Sequence, residues 1–341
     1  MSSLAWLSQK LEDGRIACLA CNQHCKLSEG EYGICGIRQV QDGQLQLLTY
    51  GLAAAVNVDP IEKKPMFHFL PGSKVFSFGT VGCNFSCKFC QNADISQYPK
   101  EHHHEIFGRP LSPQEAVDLA LEYKCDSIAY TYNEPVVFFE YTYDTAKLAH
   151  EAGLKNIYVT SGYETHQALD TIAPYLDGMN IDIKGYDQSF YRNICGASLK
   201  PVLDTIEYAH KKGIWIETTT LLIPGYNDSD EEIRAIADFQ SALDPSMPWH
   251  ISGFHPMYKM QDVPRTQAST LRRAYEIGKK AGLKYVYVGN IDDETRESTY
   301  CPNCYKLVID RHGHIGQYVT NHLKNLNRCP YCETQIEGIW K

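Results

Sequence analysis

Residues 74–92 read KVFSFGTVGCNFSCKFCQN. A short apolar run, Val75 to Val81, passes directly into three cysteines, Cys83, Cys87 and Cys90, spaced C-x3-C-x2-C. Three thiolates are one short of the four that close a cubane iron–sulfur cluster. One iron would therefore stay open to a non-protein ligand, and an open coordination position marks a catalytic rather than a structural metal site. The competing reading is a zinc knuckle that borrows a fourth ligand from His102, His103 or His104. Zinc sites favour paired C-x2–4-C ligands, so the spacing points to the cluster.

Outward from this stretch, the chain alternates strand and helix patterns. Lys74–Thr80 reads as a strand ending where the cysteine loop begins. Ser112 with Glu115 three residues on forms a capping-box pattern, predicting a helix to about Tyr123. Strands are expected at Ser127–Thr131, Asn156–Thr160, Met179–Lys184, Ile214–Ile223, His250–Phe254 and Lys284–Val288. Helices are expected at Val136–Ala152, Gln167–Ala173, Pro201–Lys212, Ser229–Leu243 and Ser269–Ala281, several stopped by glycine. Strands alternating with helices of ten or more residues imply a parallel sheet with right-handed crossovers. Six or seven units in about 220 residues are too few for an eight-unit barrel. The expected fold is α/β, a partial (β/α)6 TIM-like barrel with its site at the C-terminal ends of the strands.

Eleven of the 13 cysteines fall into three groups. A head group is Cys18, Cys21, Cys25 and Cys35, the trio follows, and a tail group is Cys301, Cys304, Cys329 and Cys332. They divide the chain into a Cys-rich segment at 1–70, a barrel at 71–292 and a small module at 293–341. The head spacing, C-x2-C-x3-C-x9-C, suits zinc or an auxiliary four-iron cluster, with zinc slightly preferred. The tail spacing, C-x2-C-x24-C-x2-C, has the paired knuckles of a zinc ribbon or rubredoxin-like site, with zinc the default. Cys125 reads as core and Cys195 as a loop thiol.

Composition sets outer bounds. At 341 residues, 43% hydrophobic and 21% charged, the chain is typical of a globular protein. No apolar run approaches the roughly 18 residues of a membrane span, and the first residues lack a secretory pattern. A net charge of −9 argues against a broad nucleic-acid surface. This cysteine content without an export signal suggests metal ligation in a reducing cytoplasm rather than disulfides.

The CNFSCKFC spacing, with the aromatic Phe89 before the last cysteine, resembles the signature of the radical S-adenosylmethionine (SAM) superfamily, whose fold is the partial barrel. The other strand ends extend the resemblance. TYNEP, 131–135, occupies the place of that family's Gly-Gly-Glu-Pro segment, which holds the amino group of SAM; Glu134 keeps the carboxylate, while Tyr132 and Asn133 replace the glycines. Thr160-Ser161-Gly162-Tyr163 resembles a segment whose hydroxyls bond the ribose or carboxylate of SAM. NIDIK, 180–184, looks like the Asp-x-Lys element of glycyl-radical-enzyme activating enzymes, with Lys184 pairing the SAM carboxylate and Asp182 lining the pocket or a nearby cation site. Each motif has a plainer reading as well: a helix start for Asn133 and Glu134, a turn for Thr160 and Ser161, a salt bridge for Asp182 and Lys184. The strand ETTTLL, 217–222, carries threonines where activating enzymes often place a SAM-contacting arginine. His250 and His255 close the next strand, and His255 is a candidate contact for adenine or substrate.

Three blocks in order narrow the resemblance: CLACNQHCKLSEGEYGICGIR in the head, the trio with TYNEPVVFFEY, and CPNC with CPYCETQIEGIW in the tail. Together they resemble the AmmeMemoRadiSam system radical SAM enzymes, relatives of pyruvate formate-lyase activating enzyme. The resemblance implies a [4Fe–4S] cluster reduced by a flavodoxin- or ferredoxin-like donor. It further implies reductive cleavage of SAM to methionine and a 5′-deoxyadenosyl radical, which abstracts hydrogen from a substrate. A protein substrate is expected first, a small molecule or nucleic acid second, and a non-catalytic electron carrier or metal scaffold third.

Overall fold

The computed structural model describes residues 2–291, 294–313 and 317–341. The expected boundary at 292/293 lies outside the described residues. An eight-stranded sheet forms the centre. Its strands are β1 (Ala55–Pro60), β2 (Lys74–Gly79), β3 (Ser127–Tyr130), β4 (Lys155–Thr160), β5 (Gly178–Asp182), β6 (Trp215–Leu222), β7 (Trp249–Gly253) and β8 (Val286–Gly289). They lie side by side in chain order, and β2 through β8 are parallel. The crossovers carry α1 (Pro113–Glu122), α2 (Phe139–Glu151), α3 (His166–Ile172), α4 (Leu199–Lys211), α5 (Asp230–Leu243) and α6 (Ala268–Lys280). Six strand–helix units and a closing strand are the expected α/β partial barrel.

Local chemistry explains the element boundaries. Ser112 and Glu115 form the reciprocal capping box in which each side chain accepts from the other's backbone N–H. Thr165 and Ser229 cap α3 and α5 in the same way, each accepting from the third helical N–H. One expected helix, Val136–Ala152, differs: Pro135–Phe138 is a 3-10 turn and the α-helix begins at Phe139. Glu134 holds the first turn by accepting from Val136 N.

The antiparallel edge strand β1 is a further difference. Ala55 pairs with Gly79 and Pro60 with Lys74, so part of the 1–70 segment belongs to the central sheet. Asn57, Asp59 and Pro60 are poor strand formers, which hid β1 from a propensity reading. After it, residues 61–70 fill the barrel at the N-terminal ends of the strands. Met66, Phe69 and Val75 form one buried cluster with Ala129 and Ile157. Gly178 allows this approach, since a Cβ there would lie 2.9 Å from the Met66 Cε.

The head and tail are small antiparallel modules on this frame. The head's two three-stranded sheets run Ser3–Leu4 with Gln44–Leu47 and Arg38–Gln41, and Ser8–Lys10 with Ile16–Cys18 and Lys26–Leu27. It docks on α2 through the buried ion pair Arg38–Glu140 at 2.6 Å. The tail sheet, Thr299–Tyr300, Leu307–His312 and Tyr318–Asn321, packs on β8 and the barrel floor. Arg311 is buried there, donating to the Phe67 carbonyl at 2.6 Å. No helix among the described residues is long and apolar enough to cross a membrane.

Candidate functional site

A cavity of about 470 Å³ opens at the C-terminal ends of the parallel strands, where barrel sites form. The loop after β2 brings Cys83, Cys87 and Cys90 to its wall. Cys83 and Cys87 are buried and Cys90 is half-buried. Burial pushes the Cys83 and Cys90 thiols up; for Cys87 the neighbouring Cys195 is the larger cause, with burial next. A metal reverses this, because a coordinating thiol is deprotonated outright. Three thiols on one cavity wall are a donor set that leaves one iron of a cubane open.

Cys195 is not the loop thiol expected. It is fully buried at the end of a π-helical turn, Tyr191–Cys195. Its carbonyl accepts from Ser86 N at 2.8 Å and faces the Cys87 sulfur at 4.0 Å. Cys125 is buried, as expected.

β3 delivers TYNEP. Tyr132 sits at φ +72°, a left-handed conformation that is an outlier for a bulky residue. Its hydroxyl bonds Asn57 and Asp59 at 3.0 Å each, and Asn92 Nδ2 donates to its carbonyl at 2.8 Å. Asn133 staples this loop to the cysteine loop, donating to the Gly82 carbonyl at 2.7 Å and accepting from Thr80 N at 3.1 Å.

Glu134 turns away from the cavity wall. It is buried, and its carboxylate accepts from Ser161 N at 2.8 Å and lies 2.7 Å from Thr160 Oγ1. Thr160 Oγ1 is also 2.7 Å from Glu164. A hydroxyl has one proton, so the second short contact calls for a proton on a carboxyl. Burial and the nearby Glu134 push Glu164 up to about 8, and it supplies that proton at neutral pH. The place where the resemblance puts a ligand for the SAM ammonium thus holds a buried acid pair that orders the 160–161 turn. Thr160 and Ser161 themselves line the cavity.

β5 and the two residues after it bring Asn180, Asp182 and Lys184 to the cavity at the two-residue period of a strand. Lys184 Nζ lies 2.7 Å from Asp182 and 6.0 Å from the centre of the Phe89 ring. Burial works against the Lys184 charge, but Asp182 beside it, together with the Cys87 and Cys195 sulfurs, more than offsets that, so the ammonium stays protonated. Asn180 bridges to β6 by accepting from Thr219 at 2.9 Å. Thr219 is one of the threonines standing where an arginine was looked for, and it too lines the cavity.

His255 is exposed and is not among the residues lining the cavity, whereas His250 is. The His250 ring bonds Glu217 at 2.7 Å, and that carboxylate also accepts from Phe67 N and His68 N. Burial favours the neutral acid, but these donors outweigh it and hold Glu217 below the usual range. Sequence reasoning missed Asn180, Asn92 and the His250–Glu217 pair as parts of the site. Alternation along NIDIK could have found Asn180; the others depend on contacts between distant segments.

The tail cysteines converge, with all four sulfurs within 4.8 Å of one another. Cys301 and Cys332 stand 3.6 Å apart, and Cys304 and Cys329 3.7 Å. Four thiolates around one tetrahedral ion at a zinc-like bond length sit about 3.8 Å apart, so the group fits a single ion. Among the described residues neither the trio nor the head quartet closes to this spacing.

The family model described as the radical SAM superfamily matches residues 78–239. An uncharacterised protein of Methanocaldococcus jannaschii is 42% identical, over 98% of this chain and 99% of that one. A second protein of that organism, named provisionally as a glycyl-radical enzyme activating enzyme, is 31% identical over 61% of this chain and 76% of its own length. The pyruvate formate-lyase-activating enzyme of Clostridium pasteurianum is 23% identical over 57% of this chain and 84% of its own.

Proposed function

The chain belongs to the radical SAM superfamily and is related to the glycyl-radical activating enzymes, and from that premise we propose that it generates a substrate radical on a protein. The reaction is reductive cleavage of SAM followed by hydrogen abstraction, either to make a glycyl radical or to begin a modification. A [4Fe–4S] cluster on Cys83, Cys87 and Cys90 would supply the electron that breaks the sulfonium bond of SAM. One observation carries the reading: the cysteine trio and the Asp182–Lys184 pair share one cavity wall at the strand ends.

The side chains divide the remaining tasks. Lys184, held cationic by Asp182, pairs with the SAM carboxylate through a charge-assisted bond. Ser161 and Asn180 offer hydrogen bonds to the ribose. Glu134 acts behind them, as a positioning residue for Thr160 and Ser161. The wall of Phe85, Phe89 and Leu221 excludes water from the radical's path. No side chain is asked to act as a conventional general acid or base.

Within the superfamily, the three motif blocks support placement with the AmmeMemoRadiSam enzymes. A flavodoxin- or ferredoxin-like donor would supply the electron. The 13 cysteines, none in a disulfide, suit a reducing cytoplasm, and zinc suits the tail spacing. Radical chemistry on a small molecule is the second reading, favoured by a cavity within the volume range of small-molecule sites.

The test is anaerobic reconstitution followed by dithionite and SAM, with 5′-deoxyadenosine as the readout. Cys87→Ala should abolish the product, and undiminished cleavage in that variant would refute the assignment of the trio. A fully loaded wild type that forms none would favour the electron-carrier reading. Deuterated candidate proteins and metabolites then separate the substrate classes by label transfer into 5′-deoxyadenosine.

A further inference from the structure

Two short helical turns, Ala93–Ser96 and Tyr98–Glu101, follow the cysteine trio directly. Ser96, Gln97 and Lys100 turn back from them onto the cysteine loop. Ser96 is 1% exposed and lines the main cavity, with its Oγ 3.1 Å from the sulfur of Cys90. Between a thiol and a hydroxyl either atom can donate. A sulfur bound to iron has lost its proton, so with a cluster in place only Ser96 can be the donor.

Behind Ser96 a cation fixes the polarity. Lys100 Nζ donates to the Phe85 carbonyl at 2.6 Å, and to Ser86 Oγ and Gln97 Oε1 at 3.2 Å each. All three acceptors are neutral. An ammonium accepts nothing, so the Gln97 oxygen faces Lys100 and the amide nitrogen faces the other way. That nitrogen spends its two hydrogens on the Phe85 carbonyl at 3.1 Å and on Ser96 Oγ at 3.2 Å. Gln97 is 3% exposed, so water scarcely competes for these bonds. Having accepted from Gln97, the Ser96 hydroxyl is left to give its own hydrogen to Cys90. Each link polarises the next. The other two sulfurs of the trio have longer contacts, Cys83 with Phe85 N at 3.4 Å and Cys87 with the Cys195 carbonyl at 4.0 Å.

We propose that Lys100, Gln97 and Ser96 form a hydrogen-bond chain that ends on Cys90 and raises the reduction potential of the trio's cluster. All three are positioning residues, acting on the iron through the Cys90 sulfur. Reduction by an external one-electron donor of the flavodoxin or ferredoxin class takes the cluster from +2 to +1 and oxidises the donor by one electron. No bond breaks and no proton moves. The added negative charge spreads onto the sulfurs, so a hydrogen-bond donor aimed at one of them favours the reduced state. Hydrogen bonds to the sulfurs are among the levers that set a cluster's potential.

The inference rests on the trio holding a cluster, as the proposed function requires, but its readout needs no SAM turnover. Anaerobically reconstituted full-length protein is titrated without SAM, following the [4Fe–4S]+ electron paramagnetic resonance signal that Cys87→Ala lacks. Ser96→Ala should keep the wild-type iron count and make reduction about tenfold less favourable, a midpoint about 59 mV lower. Ser96→Thr restores the hydroxyl and should titrate within about twofold of the wild type. Gln97→Met cuts the chain while leaving Lys100 charged and Ser96 in place. It should lower the equilibrium constant for reduction at least about threefold, and it decides the matter if Ser96→Ala does not load. An unmoved midpoint in a fully loaded Ser96→Ala or Gln97→Met protein overturns the proposal. Equal shifts in Ser96→Ala and Ser96→Thr overturn it as well, because packing and not the hydroxyl would then set the potential. A wild-type trio that takes up no iron sinks the proposed function itself, whereas an unmoved midpoint leaves that function standing.

Discussion

Thr160 shows how much of the site is settled by one hydroxyl. It lies between Glu134 and Glu164, and all three are buried. Glu164 is raised from an ordinary value of 4.5 to about 8, first by burial and then by Glu134. The folded state therefore binds more protons than the unfolded state across that window, and this group's contribution makes stability fall as pH rises through it. Glu164→Gln removes the titration while keeping the shape. Chemical denaturation at pH 5 and pH 8 should show a smaller difference for the variant than for the wild type. An unaltered difference would mean that Glu164 is ionised throughout. Neither partner's role was legible in the sequence: Glu134 reads as a ligand by its place in TYNEP, and Glu164 reads as nothing. Tyr132 is a similar case, because its left-handed backbone is tolerated through bonds to Asn57, Asp59 and Asn92. Those partners come from separate segments.

Among elements, α2 does more than cross over between strands. Its first turn carries Glu140, which accepts from both Arg38 terminal nitrogens, at 2.6 and 3.2 Å, in full burial. Removing one partner of such a pair strands a charge and costs about 3–5 kcal/mol. Glu140→Ala should lose stability on that scale in urea unfolding and loosen the head from the barrel, seen as faster amide exchange over residues 37–47. A loss below 1 kcal/mol would show that the pair is dispensable for docking. The strands and helices themselves were largely legible, because apolar periodicity and caps such as Ser112, Thr165 and Ser229 act locally. Strand β1 was not, since its pairing with β2 overrides the low strand propensity of Asn57 and Asp59.

Across the whole molecule, the tail and residues 61–70 form one buried block with the last strand. Phe67 packs with Tyr287, Cys301 and Cys329, and Arg311 reaches from the tail to the Phe67 carbonyl. The same segment supplies Pro65 and Phe67 to the wall of the cavity. Breaking the tail's four-cysteine group, which fits a metal ion, should therefore be felt at the main site. Cys329→Ser should lose one equivalent of metal and at least about 2 kcal/mol of stability, and it should also weaken SAM binding measured by calorimetry. Unchanged SAM affinity would separate the tail from the floor of the site.

The sequence alone determined the order of the parallel strands and their crossover helices, the three cysteine groups and the open count of thiols in the trio. Periodicity, capping and ligand spacing are properties of neighbours in the chain. Only the tertiary structure decided which sulfurs converge closely enough for one ion. It also turned Glu134 inward and left His255 outside the cavity. These outcomes depend on packing among residues tens of positions apart, where burial and hydrogen-bond satisfaction choose the partner.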